Sequence, residues 1–301
     1  MRRGTGRLSS STPGSGTSPG PARAGSARAG GCRDPRLPRP LIVAGGGVVY
    51  SEAAEASRQL AEVTGIPVAE TQAGKGSLAW DHLQAVGAIG ATGTTAANTL
   101  AAESDLVLGI GTRWSDFTTA SMSAFADRAA RFVNINVADF DGHKLSGLSV
   151  VADAREALQA LTTQLAGWRA EPAYTRRASD LAAAWDGAVS AAYDLGGDLG
   201  AVQRQSQVIG AVNDLSGARD VVVCAAGSMP GDLHKTWRAS DAKGYQVEYG
   251  YSCMGYEIAG GLGVKMAAPD REVIVVVGDG SHLMMAQELV TAVQEESSLS
   301  W

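Results

Sequence analysis

Glu272-Val273-Ile274-Val275-Val276-Val277-Gly278-Asp279-Gly280-Ser281 is the stretch on which the reading of the fold turns. An unbroken run of β-branched residues, with no polar alternation, predicts a strand covered on both faces, the habit of parallel sheets. Glycines then bracket a carboxylate, and a helical pattern follows over 283–295. Strand, glycine turn and helix in that order place Asp279 at the carboxyl edge of a parallel α/β sheet, where such folds bind ligands.

Glycines at 278 and 280 let a backbone approach an anionic group closely, and the start of a helix favours negative charge. A bare phosphate would repel Asp279. The carboxylate makes sense when Mg²⁺ lies between it and a diphosphate, because that ion takes one or two carboxylates together with phosphate oxygens. The competing reading is a plain strand-to-helix turn in which Asp279 caps the helix, and the short motif alone does not choose between them.

The same alternation extends upstream. A small-residue helix is predicted over 254–266, strands over 245–249 and 220–225, and a helix over 205–215. The stretch 169–204 is polar and Ala-rich and is expected to be a helical linker. Before it, strands are predicted at Leu41-Ile42-Val43-Ala44, Ile66-Pro67-Val68-Ala69, 105–111, 131–137 and 150–152. Helices are expected from a cap at Ser51, and over 96–103 and 154–168. Apolar strands alternating with helices imply a Rossmann-like parallel-sheet domain over 39–168 and a second α/β domain over 205–301. Residues 1–38, built from Arg, Gly, Ser, Pro and Ala, cannot bury enough apolar surface to fold and are expected to form a disordered tail. The runs Gly45-Gly46-Gly47 and Gly109-Ile110-Gly111 do not spell a dinucleotide fingerprint, so both are read as structural, as is Thr112-Arg113-Trp114-Ser115-Asp116.

A length of 301 residues suits about two domains. The formal charge of −6, with no basic patch in the folded part, argues against a nucleic-acid partner. No apolar run reaches the ~18 residues of a membrane helix. Three cysteines, Cys32, Cys224 and Cys253, form no CxxC pair, which fits a reduced, cytoplasmic setting. Cys224 and Cys253 are expected to be small core residues and His234 a solvated loop residue. The four histidines lack metal-ligand spacing.

From Asp220 onward, VVVCAAGSMPGDLHKTW, YGYSCMGYEIAGGLGVKMA and EVIVVVGDGSHLMMAQELVTAVQE resemble the diphosphate-binding domain of the acetolactate-synthase-like thiamine-diphosphate enzymes. GGGVVYSEAAE, PVAETQAGKGSLAWDH, AIGATGTTAANTLA and GIGTRWSDFTTAS resemble the central domain of a branch of that family that hydrolyses a C–C bond in a cyclic 1,2-diketone of inositol catabolism. The resemblance covers 39–296. It implies thiamine diphosphate and Mg²⁺ as cofactors. Asp279 would ligate the metal, with Gly278, Gly280 and Ser281 around the diphosphate and Gly227 and Ser228 facing the same group. Met254 would wedge the cofactor into its bent shape, and backbone carbonyls near Ser252 and Met254 would hold the pyrimidine amine.

The family's activating glutamate belongs to an amino-terminal domain with no counterpart in this sequence. No catalytic residue is therefore assigned, and the second α/β domain is expected to be truncated. On this reading the chain is a fragment, inactive by itself, of a parent that is a homodimer or homotetramer. The competing classes are another thiamine enzyme of the acetolactate synthase or decarboxylase type, a non-catalytic remnant, and a nucleotide-binding oxidoreductase module.

Overall fold

The computed structural model describes residues 39–127, 129–196, 203–298 and 300. The expected tail and Cys32 lie outside them. Strand β1 (Pro40–Ala44) leads into helices α1 (Gly46–Tyr50) and α2 (Ala54–Thr64), followed by β2 (Val68–Glu70) and β3 (Ala85–Ala88). Helix α3 (Thr95–Glu103) precedes β4 (Leu106–Ile110), β5 (Arg131–Asn136) and β6 (Leu148–Val151). The six strands form one wholly parallel sheet in the order β3-β2-β1-β4-β5-β6. This is the doubly wound, Rossmann-like order. Along β1, Leu41 and Val43 join one apolar cluster while Ile42 and Ala44 join the other. That alternation, with every residue buried, is why the strand carries no polar positions.

The glycine runs at 45–47 and 109–111 explain each other. A Cβ on Gly47 would lie 2.5 Å from the Cα of Gly111, and one on Gly45 would collide with the Gly111 carbonyl oxygen. The runs are a close approach of two backbones, which lets α1 start directly off β1. The helix cap expected at Ser51 is therefore displaced. Ser51 instead ends α1, Glu52 takes a φ of 50°, and α2 begins at Ala54.

Helices α4 (Ala154–Gln164) and α5 (Pro172–Tyr193) follow. Within the expected linker, α5 buries Tyr174, Ala178, Val189 and Tyr193. The first two pack into the six-stranded unit and the last two into the next. After α6 (Gln205–Leu215) come β7 (Val221–Cys224), α7 (Met229–Thr236), β8 (Tyr245–Val247), α8 (Tyr256–Ala267) and β9 (Val273–Val275). These strands make a second parallel sheet in the order β8-β7-β9. Gly261 on α8 faces Val275 so closely that a Cβ there would collide with its side chain, so small residues serve helix-on-sheet packing.

The helix expected over 283–295 is two helices, α9 (Asp279–Met284) and α10 (Glu288–Gln294). The break falls at Met285, which leaves helical geometry at φ −134° and packs on Gly255, where a Cβ would come within 2.6 Å of the Met285 Cγ.

Candidate functional site

Three loops leave the carboxyl ends of β8, β7 and β9, in that spatial order. All three strands run parallel, so residues 248–255, 225–228 and 278–281 gather along one sheet edge. Gly227 takes a φ of 88°, a left-handed conformation that suits glycine, and a Cβ there would meet nothing within 4 Å. A Cβ on Gly278 would likewise stand in open space. The edge is thus lined by bare backbone. Gly227, Ser228, Ser252, Met254, Gly278, Asp279 and Gly280 are all exposed along it.

Side chains tie the loops to one another. Ser252, held at φ 54°, donates its hydroxyl to the Ala225 carbonyl at 3.4 Å. Met254, 48% exposed, lies over Gly280, its Cε 3.7 Å from where a Cβ would stand. The Asp279 carboxylate accepts the Gly280 N–H at 2.8 Å and otherwise faces solvent. Ser228 donates to Gln205 Oε1 at 3.3 Å. Ser281 is buried, with its hydroxyl accepting from the Gly255 N–H and donating to Glu257, both at 2.7 Å. Its side chain therefore points inward, and only its backbone lies at the edge.

Two acids that sequence reasoning passed over organise the loops. Glu248 accepts the N–H groups of Tyr251 at 3.0 Å and Cys253 at 2.7 Å, bonds that hold its carboxyl below the usual range. Glu257, 1% exposed, accepts from Ala226, Gly255 and Ser281, one residue from each loop. The available signal was a lone acid on the apolar, small-residue face of 254–266. Cys253 is exposed on its loop, against the expectation of a core position, because Glu248 pulls its backbone into the turn. Cys224 is buried as expected, and burial pushes its thiol up to about 12.

The six-stranded unit braces this edge. Phe117 stacks edge-on against Tyr249 at 5.6 Å. Trp114 is buried between Phe125 and Phe132 and donates its ring N–H to Asn134 at 2.9 Å, a structural role. His234 is 2% exposed, not solvated. Its Nε2 donates to the Glu70 carbonyl at 3.2 Å, and its Nδ1 pairs with the Thr92 hydroxyl at 2.9 Å. Helix α7 thereby docks on the first sheet. Among the described residues no cluster of three or more His, Cys, Asp or Glu could hold a metal by itself. No described helix is long and apolar enough to cross a membrane.

Residues 37–161 match the thiamine pyrophosphate enzyme central domain, and residues 225–299 match the thiamine pyrophosphate enzyme C-terminal TPP binding domain. The chain belongs to the thiamine pyrophosphate enzymes. The three-loop edge therefore lies in that family's cofactor-binding domain. The chain is 43% identical over 287 residues to the 3D-(3,5/4)-trihydroxycyclohexane-1,2-dione hydrolase of Bacillus thuringiensis (strain Al Hakam). It is likewise 43% identical over 287 residues to the hydrolase of the same name from Bacillus anthracis. Each match takes in 88% of this chain and 45% of the relative, so the chain spans about half the length of the curated relatives it matches.

Proposed function

We propose that these residues anchor thiamine diphosphate and Mg²⁺ in a hydrolase that opens a cyclic 1,2-diketone, in an enzyme assembled as a homodimer or homotetramer. The observation that carries the cofactor assignment is the sheet edge. Gly227 and Gly278 leave open space where side chains would stand, beside a solvent-facing carboxylate at Asp279. One carboxylate is a poor cage for a metal. It is enough for Mg²⁺ that arrives on a diphosphate, since that ion keeps waters and phosphate oxygens as its other ligands. The residues present fit the group. Asp279 would hold the ion, and Gly227, Ser228, Gly278, Gly280 and the Ser281 backbone would line the diphosphate. Met254, over Gly280, and the Ser252 segment would face the organic part of the cofactor.

Bound thiamine diphosphate supplies the carbon nucleophile that attacks a carbonyl. The chain's own contribution is to fix that cofactor's charged end. No residue here is assigned a proton-transfer role. The diketone substrate rests on the 43% identity to the Bacillus hydrolases.

Calorimetric titration with thiamine diphosphate, with and without Mg²⁺, tests the anchor. Binding that needs the ion is expected, and Asp279→Asn should weaken it at least tenfold, since it removes the ion's protein charge and keeps the shape. Saturable NADH binding in its place would refute the assignment. The substrate is tested by a chimera in which residues 39–296 replace the matching segment of the Bacillus hydrolase. A chimera that binds cofactor yet opens no trihydroxycyclohexanedione ring would overturn that part alone.

A further inference from the structure

We propose that Glu257 is a positioning residue that sets the spacing of all three cofactor-edge loops, an inference that rests on the site reading above. Its Oε1 accepts the Ala226 N–H at 3.3 Å. Its Oε2 accepts the Gly255 N–H at 3.0 Å and the Ser281 hydroxyl at 2.7 Å. Ala226 immediately precedes Gly227, Gly255 follows Met254, and Ser281 follows Gly280. Each bond therefore lands one residue from a position assigned to the cofactor.

The chemistry of the donors points the same way. Every partner gives a proton and none takes one, so the carboxylate acts as acceptor throughout. A second link closes the arrangement, because the Ser281 hydroxyl also accepts the Gly255 N–H at 2.7 Å. A three-way brace follows. Two of the loops meet through Ser281, and the third is joined to Glu257 by Oε1, with the Ser252 hydroxyl on the Ala225 carbonyl as its other link to the 248–255 loop. Buried carboxylates are costly unless their hydrogen bonds are satisfied, and this one is placed where three otherwise separate strand ends converge. Glu257 stands in the first turn of α8, where a carboxylate also suits the helix N-terminus. Tyr256 and Ile258 flank it as ordinary packing residues. Glu257 touches neither the edge's open space nor Asp279, so its effect on a ligand runs through the backbone it holds.

The test is Glu257→Gln in the full chain, read first by hydrogen–deuterium exchange with no cofactor present. The amide retains one accepting oxygen and turns the other into a donor facing donors. Exchange in peptides covering 225–228, 253–256 and 278–283 should rise at least tenfold together, with the β1–β6 sheet unchanged. Ser281→Ala is the second variant, in case the first fails to fold. It should release 253–256 and 278–283 but leave 225–228 as protected as before. Release of one loop only by Glu257→Gln, or of all three by Ser281→Ala, would overturn the proposal.

Titration with thiamine diphosphate and Mg²⁺ adds a readout that a merely structural role would not separate. The Glu257→Gln Kd should rise at least tenfold while the melting temperature of the six-stranded unit stays put. Equal loss of affinity and of that unit's stability would count against a positioning role. If the unaltered chain binds no cofactor, the site reading fails, and the exchange pattern still decides whether Glu257 braces the loops.

Discussion

His234 makes the docking of the two sheets sensitive to acid. Burial, reinforced by the Lys75 ammonium, pushes its imidazole from 6.5 down to about 3. The folded state therefore keeps the ring neutral, with Nε2 donating to the Glu70 carbonyl, while the unfolded chain takes up a proton below about pH 6.5. More protons on the unfolded state means that stability rises with pH and is lost as pH falls from 6.5 toward 3. At about 1.4 kcal/mol per pH unit, acidification from pH 7 to pH 5 should cost about 2 kcal/mol through this one group. The buried Glu70 carboxyl, raised by desolvation, works in the opposite direction, and Lys75 is lowered by burial. Both remain in His234→Gln, which also retains a donor for the Glu70 carbonyl, so the difference between the two proteins isolates the imidazole. Urea unfolding followed by tryptophan fluorescence at pH 7 and pH 5 is the assay. The unaltered chain should lose about 2 kcal/mol more than His234→Gln over that interval. Equal losses would refute the argument, because they would mean that the ring titrates alike in both states.

Gly47→Ala should destabilise the six-stranded unit by about 2–3 kcal/mol, since its Cβ would stand 2.5 Å from the Gly111 Cα with backbone on both sides. A melting curve with an unshifted midpoint would contradict this. Trp114→Phe should cost about 1–3 kcal/mol by leaving the buried Asn134 Oδ1 without its donor, measured by urea unfolding. Asp279→Asn, exposed and outside every core cluster, should leave the melting temperature unchanged while weakening Mg²⁺-dependent cofactor binding at least tenfold.

Strands written in β-branched residues were legible from sequence: β4, β5, β7 and β9 lie within the stretches expected of them, and β1 begins one residue early, at Pro40. Strand β3 was not, because Ala85-Val86-Gly87-Ala88 has little strand preference and takes its geometry from pairing with β2. Helix α1 was missed for a related reason. Gly46-Gly47-Val48-Val49-Tyr50 is a poor helix former, and its conformation follows from the approach of Gly47 to Gly111, a partner more than sixty positions away. The loops bearing the proposed site residues could be placed along a strand–turn–helix grammar. The parts that could not were Glu257 and His234. Each is defined by neighbours from other elements, so residue type alone left Glu257 unremarked and pointed to a solvated loop for His234.

Helix α5 carries a consequence for how the chain acquires its structure. Its 22 residues span about 33 Å, with Tyr174 and Ala178 locked into the first core and Trp185, Val189 and Tyr193 into the second. All six strands of the first sheet precede it in the chain. As the polypeptide emerges during synthesis, that sheet can close and seize the leading half of the helix before β7 exists. The trailing half would then project as a preformed apolar template on which Ile209, Val222 and Leu233 condense. The later unit would start from a surface already in place, sparing it much of the entropy of finding its own nucleus.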